Sequence, residues 1–78
     1  MSKKVVVYSK PNCVQCNATY RELTKLGVEH TVVDVSQDKE AYEKIIALGY
    51  KSVPVVIVDE EQHWGGFNSS KIKELAVK

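Results

Sequence analysis

The sequence predicts an α/β fold, a four-stranded mixed sheet flanked by three helices in the order βαβαββα, built as one domain over residues 1–78. Three observations predict it. Strand-favouring runs at residues 5–8 and 29–35 are joined by a stretch of helical periodicity, which makes a βαβ unit with parallel strands. A second periodic stretch leads into a third apolar run at residues 53–58, with a proline near its start. Beyond that run a polar turn, a very short strand and a last amphipathic stretch complete the order.

Each element has its own signature. Val5, Val6, Val7 and Tyr8 follow one another without polar alternation, as suits a central strand covered on both faces. In residues 13–26, Cys16, Tyr20, Leu23 and Leu26 recur at spacings of three and four, giving a helix with one apolar stripe that Gly27 stops. Val32, Val33 and Val35 mark the second strand. Ser36 or Asp38 caps the next helix, whose stripe is Ala41, Tyr42, Ile45, Ile46 and Leu48 and whose end is Gly49. In the third strand Pro54 has no N–H for the ladder, so it marks an edge, a bulge or a cis turn. Asp59-Glu60-Glu61-Gln62 is a turn, His63-Trp64 a small hairpin strand, and Gly65-Gly66 breaks the pattern before Phe67. Asn68, Ser69 or Ser70 caps the last helix, with Ile72, Leu75 and Ala76 on one face and Lys71, Lys73 and Glu74 on the other.

Composition narrows the function. A chain of 78 residues has room for one modest core and no second domain. Hydrophobic residues at 44% and charged residues at 27% are ordinary for a globular protein, and a net charge of +1 gives no reason to expect nucleic acid as a partner. No apolar run approaches the roughly 18 residues that span a bilayer. Met1-Ser2-Lys3-Lys4 leads straight into a strand rather than a signal-peptide core, so no membrane is expected and the location expected is the reducing cytoplasm.

The chemistry is concentrated in Lys10-Pro11-Asn12-Cys13-Val14-Gln15-Cys16, which holds both cysteines of the chain. Thiol–disulfide exchange needs an accessible thiolate and a second thiol near enough to resolve the mixed disulfide, and a C-x-x-C turn opening a helix meets both demands. Cys13 at the helix N-terminus gains from unpaired N–H groups and the positive end of the macrodipole, and Cys16 lies one turn further in. Three other readings stand beside this one. A zinc site needs about four ligands, and His30 and His63 match no common finger spacing with the cysteines. A structural disulfide over so short a loop removes little unfolded-state entropy. Two buried thiols packing as small hydrophobes is the third, opposed by the Pro11-Asn12 turn, which argues for exposure of Cys13.

With Cys13-Val14-Gln15-Cys16-Asn17-Ala18-Thr19 after the first strand, Val53-Pro54-Val55-Val56 opening the third and Trp64-Gly65-Gly66-Phe67 near the end, the chain resembles the thioredoxin fold in its glutaredoxin-sized form. Within that group it most resembles the NrdH-redoxin family. The resemblance implies a small electron carrier with no cofactor beyond its own cysteines, and a monomer is expected. Thioredoxin reductase would reduce it at the expense of NADPH, and it would reduce in turn the large subunit of a class Ib ribonucleotide reductase. Cys13 would be the nucleophile, Cys16 the resolving thiol and Pro54 a cis-proline facing them, with the backbone of Val53 open for an extended substrate segment to pair with. Trp64 and Phe67, flanking Gly65 and Gly66, are either core aromatics or part of a partner-binding surface. Lys10 is placed to stabilise a Cys13 thiolate or meet a carboxylate, or else faces solvent.

The match has one gap. The family usually carries Trp-Ser-Gly-Phe-Arg-Pro-Asp, whereas this chain has Gly65 in place of the serine and Asn68, Ser69 and Ser70 after Phe67. Gly65-Gly66 resembles instead the Gly-Gly with which glutaredoxins hold the ends of glutathione, although no acid follows to pair with its ammonium group. The leading function is therefore an NrdH-type dithiol oxidoreductase, its rival a glutathione-dependent glutaredoxin, and the reading from another class a zinc-binding or adaptor module.

Overall fold

The computed structural model describes residues 5–59 and 62–76. The reading of residues 1–4 as a leaderless start, and the Glu60-Glu61 half of the polar turn, lie outside the described residues. Strands β1 (Val5–Ser9), β2 (His30–Asp34), β3 (Val55–Ile57) and β4 (His63–Gly65) alternate with helices α1 (Val14–Lys25), α2 (Lys39–Ala47) and α3 (Ser69–Ala76) in the expected order. The sheet runs β2-β1-β3-β4; β1 is parallel to β2 and antiparallel to β3, and β3 is antiparallel to β4.

Register divides the core into two. Val7 lies opposite Val32 and Val56, and Val56 opposite Trp64, so this row crosses one face of the sheet. Val5, Val7, Val56, Val58 and Trp64 pack there with Leu23 of α1 and Ile72 of α3. The next row, Val33, Tyr8 and Val55, faces the other way. Tyr8 and Val55 pack there with Ala41 and Ile45 of α2. Two layers of helix on one central sheet bury β1 and β3 on both sides, which is why their sequences do not alternate.

The helix ends follow elementary capping. Asp38 rather than Ser36 caps α2, its Oδ1 accepting the Ala41 N–H at 3.1 Å, while Ser36 turns back to the Asp34 carboxylate. Asn68 caps α3 by accepting the Lys71 N–H at 3.1 Å. None of the helices among the described residues is long and apolar enough to cross a membrane.

Two expectations need correction. The apolar stripe of α2 is narrower than read: Ala41 and Ile45 are buried, but Tyr42, Ile46 and Leu48 are exposed. A nine-residue helix lying on a sheet meets it along one i, i+4 line; Tyr42 and Ile46 are each rotated about 100° from that line, and Leu48 is already the C-cap. Val32, on the outer strand β2, is exposed as well. The third strand is Val55–Ile57 rather than residues 53–58, since Pro54 cannot donate and the Val58 N–H goes to the Gln62 carbonyl in the hairpin turn.

Candidate active site

The chain leaves β1 at Ser9, whose carbonyl accepts the Val35 N–H at 2.9 Å and ties the strand end to the β2 side. Lys10 follows, exposed. Pro11 and Asn12 then turn the chain, Asn12 at φ +59° in the left-handed region that asparagine tolerates better than most residues. The turn delivers Cys13 in extended conformation as the N-cap of α1.

A sulfur here does what a serine or aspartate oxygen does at most helix starts. Cys13 Sγ accepts the Cys16 N–H at 3.1 Å and is joined to Cys16 Sγ in a disulfide, the two Cα atoms being 5.2 Å apart. No acidic residue lies in the first turn of α1, so nothing there opposes negative charge on Cys13. The sequence reading expects Cys13 to be exposed. It is only 8% exposed, because its sulfur is drawn in toward the helix start and the fully buried Cys16, and the residue standing out at the tip is Val14, at 82%.

Sequence reasoning missed Thr19. It is fully buried, in helical phase with Cys16 and Leu23, and its hydroxyl donates to the Gln15 carbonyl at 2.9 Å. The phase was there to be read; a hydroxyl residue on the stripe hid it. The bond lies within α1, joining its second turn to the first beside the dithiol.

One distant segment, the turn after β4, meets this helix start, and a second is tied to that turn. The Val53-Pro54 peptide is cis and Pro54 is buried. Its carbonyl accepts the Gly66 N–H at 2.7 Å, which joins the segment before β3 to the turn after β4. Gly66 has φ +79°, and the next N–H, that of Phe67, donates to Gln15 Oε1 at 3.4 Å. The structure thus brings together Cys13, Cys16, Gln15, Gly66 and Phe67, with Pro54 tied to Gly66. Val53 is half-buried beside Pro54, and Phe67 is 42% exposed.

Of the two readings of Trp64, core aromatic or partner-binding surface, the structure places the side chain in the core. It is 8% exposed in the cluster beneath α1 and α3, because β4 points it to that face, so it supports the Gly65-Gly66 turn from inside. Its Nε1 is the one buried side-chain polar atom among the described residues without a hydrogen-bond partner.

The glycine at position 65 has a physical reason. A Cβ there would lie 3.0 Å from Cδ1 and 3.1 Å from Cε1 of Tyr50, whose ring occupies the place. The Tyr50 ring is itself held by a 2.6 Å hydrogen bond between its hydroxyl and His63 Nδ1, and the two rings meet edge to face at 5.6 Å. Gly65→Ser is expected to displace that ring and destabilise the protein by about 1–3 kcal/mol, the usual cost of overpacking. In a Tyr50→Ala background the same serine should cost less than half as much, and a urea double-mutant cycle measures the difference.

The histidines stand apart from the cysteines. His30 is on β2, its Nδ1 bonded to the Val28 carbonyl at 3.0 Å, and His63 is on β4, at the opposite edge of the sheet. Among the described residues no three His, Cys, Asp or Glu side chains converge as a metal site.

Known proteins share this arrangement. The glutaredoxin family model matches residues 5–64. The glutaredoxin-like protein NrdH of Escherichia coli (strain K12) is 33% identical over 72 residues, covering 92% of this chain and 88% of that protein. Among solved structures, the NrdH-redoxin from Escherichia coli, a glutaredoxin-like protein with a thioredoxin-like activity profile, matches with TM-score 0.87 and 33% identity over 92% of this chain and 93% of its own. A glutaredoxin from Archaeoglobus fulgidus matches with TM-score 0.81 and 32% identity over 94% and 85%.

Proposed function

Because the chain belongs to the NrdH-redoxin family of glutaredoxin-like proteins and has the thioredoxin fold, we propose that this thiol–disulfide oxidoreductase is a dithiol electron carrier reduced by thioredoxin reductase and serving a class Ib ribonucleotide reductase in the cytoplasm. The observation that carries the proposal is the Cys13–Cys16 disulfide at the first turn of α1, with the Cys16 N–H directed at Cys13 Sγ.

Two electrons and two protons from the reductase open that disulfide. Cys13 then holds a sulfur that already receives a backbone N–H at a helix N-terminus, so its thiolate is favoured. The thiolate attacks one sulfur of the partner's disulfide; that S–S bond breaks, and the other partner sulfur leaves as a thiolate and takes up a proton. Cys16, deprotonated, attacks Cys13 Sγ, the mixed disulfide breaks and the second partner thiol is released. The chain ends as the Cys13–Cys16 disulfide and the partner as a dithiol. Burial supports this order, since Cys13 keeps 8% exposure and Cys16 none. One helical turn between them makes the second step intramolecular. No cofactor beyond the two cysteines enters. Val14 and Phe67 offer apolar surface beside the dithiol, and the Val53 backbone can pair with an extended partner segment.

A second reading, glutathione-dependent turnover, draws on the Gly65-Gly66 turn and the likeness to glutaredoxins. Against it, Asn68 Oδ1 is engaged in capping α3, and no acid in the first turn of that helix awaits an ammonium group. The test measures NADPH oxidation with one disulfide substrate under two regenerating systems, thioredoxin reductase alone and glutathione with glutathione reductase. Turnover with thioredoxin reductase is expected; turnover confined to glutathione would replace the proposal with the second reading.

A further inference from the structure

Gln15 sits between the two cysteines in sequence, and its side chain reaches a residue 52 positions away. Oε1 accepts the Phe67 N–H at 3.4 Å, and a Cβ built at Gly66 would lie 3.6 Å from the same oxygen. The carboxamide therefore lies against the Gly66–Phe67 peptide, and the left-handed φ of Gly66 lets that peptide present its N–H. Both ends of the link are anchored. The Gln15 carbonyl is held by the buried Thr19 hydroxyl at 2.9 Å, and the Gly66 N–H by the Pro54 carbonyl at 2.7 Å. What the link carries is an exposed aromatic ring. Phe67 is 42% exposed, and Val14, the most exposed large apolar side chain among the described residues, is next to Gln15 in sequence.

We propose that Gln15 is a positioning residue for protein partners: its side-chain oxygen fixes the Phe67 turn beside the dithiol, so that a protein disulfide is met by a preset apolar surface. This rests on the reading that the chain reduces protein disulfides. A small disulfide needs only Cys13 and Cys16 and does not reach Phe67, so the contribution of Gln15 falls on protein substrates alone. Preorganising the turn spares its ordering at each encounter.

The test uses the pre-reduced full chain, which makes it independent of the physiological reductant. Rates of reduction are measured for insulin and for hydroxyethyl disulfide, and their ratio is compared among wild type, Gln15→Met and Gln15→Glu. Methionine keeps the length and removes the acceptor; glutamate keeps an acceptor at the same reach. The insulin-to-small-disulfide ratio is expected to fall about fivefold in Gln15→Met, the effect of one neutral hydrogen bond, and to return in Gln15→Glu. Any effect of the glutamate charge on Cys13 reactivity cancels in the ratio. The Phe67 amide should exchange faster with solvent in Gln15→Met and return toward wild type in Gln15→Glu. An unchanged ratio, or a ratio lowered equally by both variants, overturns the proposal. If regeneration proves to depend on glutathione alone, the reductase assignment falls while this comparison still decides the role of Gln15.

Discussion

Replacing Cys13 by serine is expected to lower the reduction of protein disulfides by roughly a thousandfold or more, the scale of losing a catalytic nucleophile. Serine at an N-cap keeps an acceptor for the Cys16 N–H, so α1 should start as before and the loss reports chemistry rather than folding. Cys16→Ser gives a different result. Cys13 can still attack, but nothing one turn away displaces the partner, and the mixed disulfide accumulates. The measurement is NADPH-coupled turnover for both variants, with non-reducing gel and mass analysis for the trapped species. Expected are no turnover in either variant and a covalent partner complex with Cys16→Ser only. A complex formed by Cys13→Ser and not by Cys16→Ser would reverse the proposed roles, which rest on Cys16 being fully enclosed and Cys13 8% exposed.

The order of elements was legible because each strand and helix carries a local signal, and the two-sided burial of β1 is written in a valine run without alternation. The disulfide was legible for a similar reason, since two cysteines one helical turn apart can hardly avoid each other. Depth of burial was not legible. Tyr42, Ile46 and Leu48 are apolar and exposed, Thr19 is polar and enclosed, and Cys13 is drawn inward; each outcome depends on which neighbouring layer lies above the residue. The joining of Gln15 to Phe67 and of Tyr50 to His63 and Gly65 was equally out of reach, for these contacts exist only once β3 and β4 have been laid beside β1. Gly65 illustrates the point. As sequence it resembles half of a glutathione clamp, and as structure it is the space a tyrosine ring needs.

The largest effect on stability is expected at Leu23, the residue through which α1 meets the sheet. It is fully buried in the cluster with Val5, Val7, Val56, Val58, Trp64 and Ile72, so Leu23→Ala removes apolar contact and leaves a cavity, at a cost of about 2–5 kcal/mol. A domain of 78 residues has little reserve, and that loss is comparable with the ~5 kcal/mol at the lower end of natural stabilities. The disulfide offers small compensation, since its closed loop spans only one turn. Trp64, the only tryptophan, lies in the same cluster, so its fluorescence during urea unfolding reports the change where it occurs. Leu48→Ala is the matched control, the same substitution at an exposed C-cap, and should shift stability by less than about 1 kcal/mol. Because α1 also presents Cys13 and Gln15, Leu23→Ala should slow protein-disulfide reduction at temperatures where the fold still holds. Equal stability losses in the two leucine variants would mean that α1 is held to the sheet by something other than the packing of Leu23.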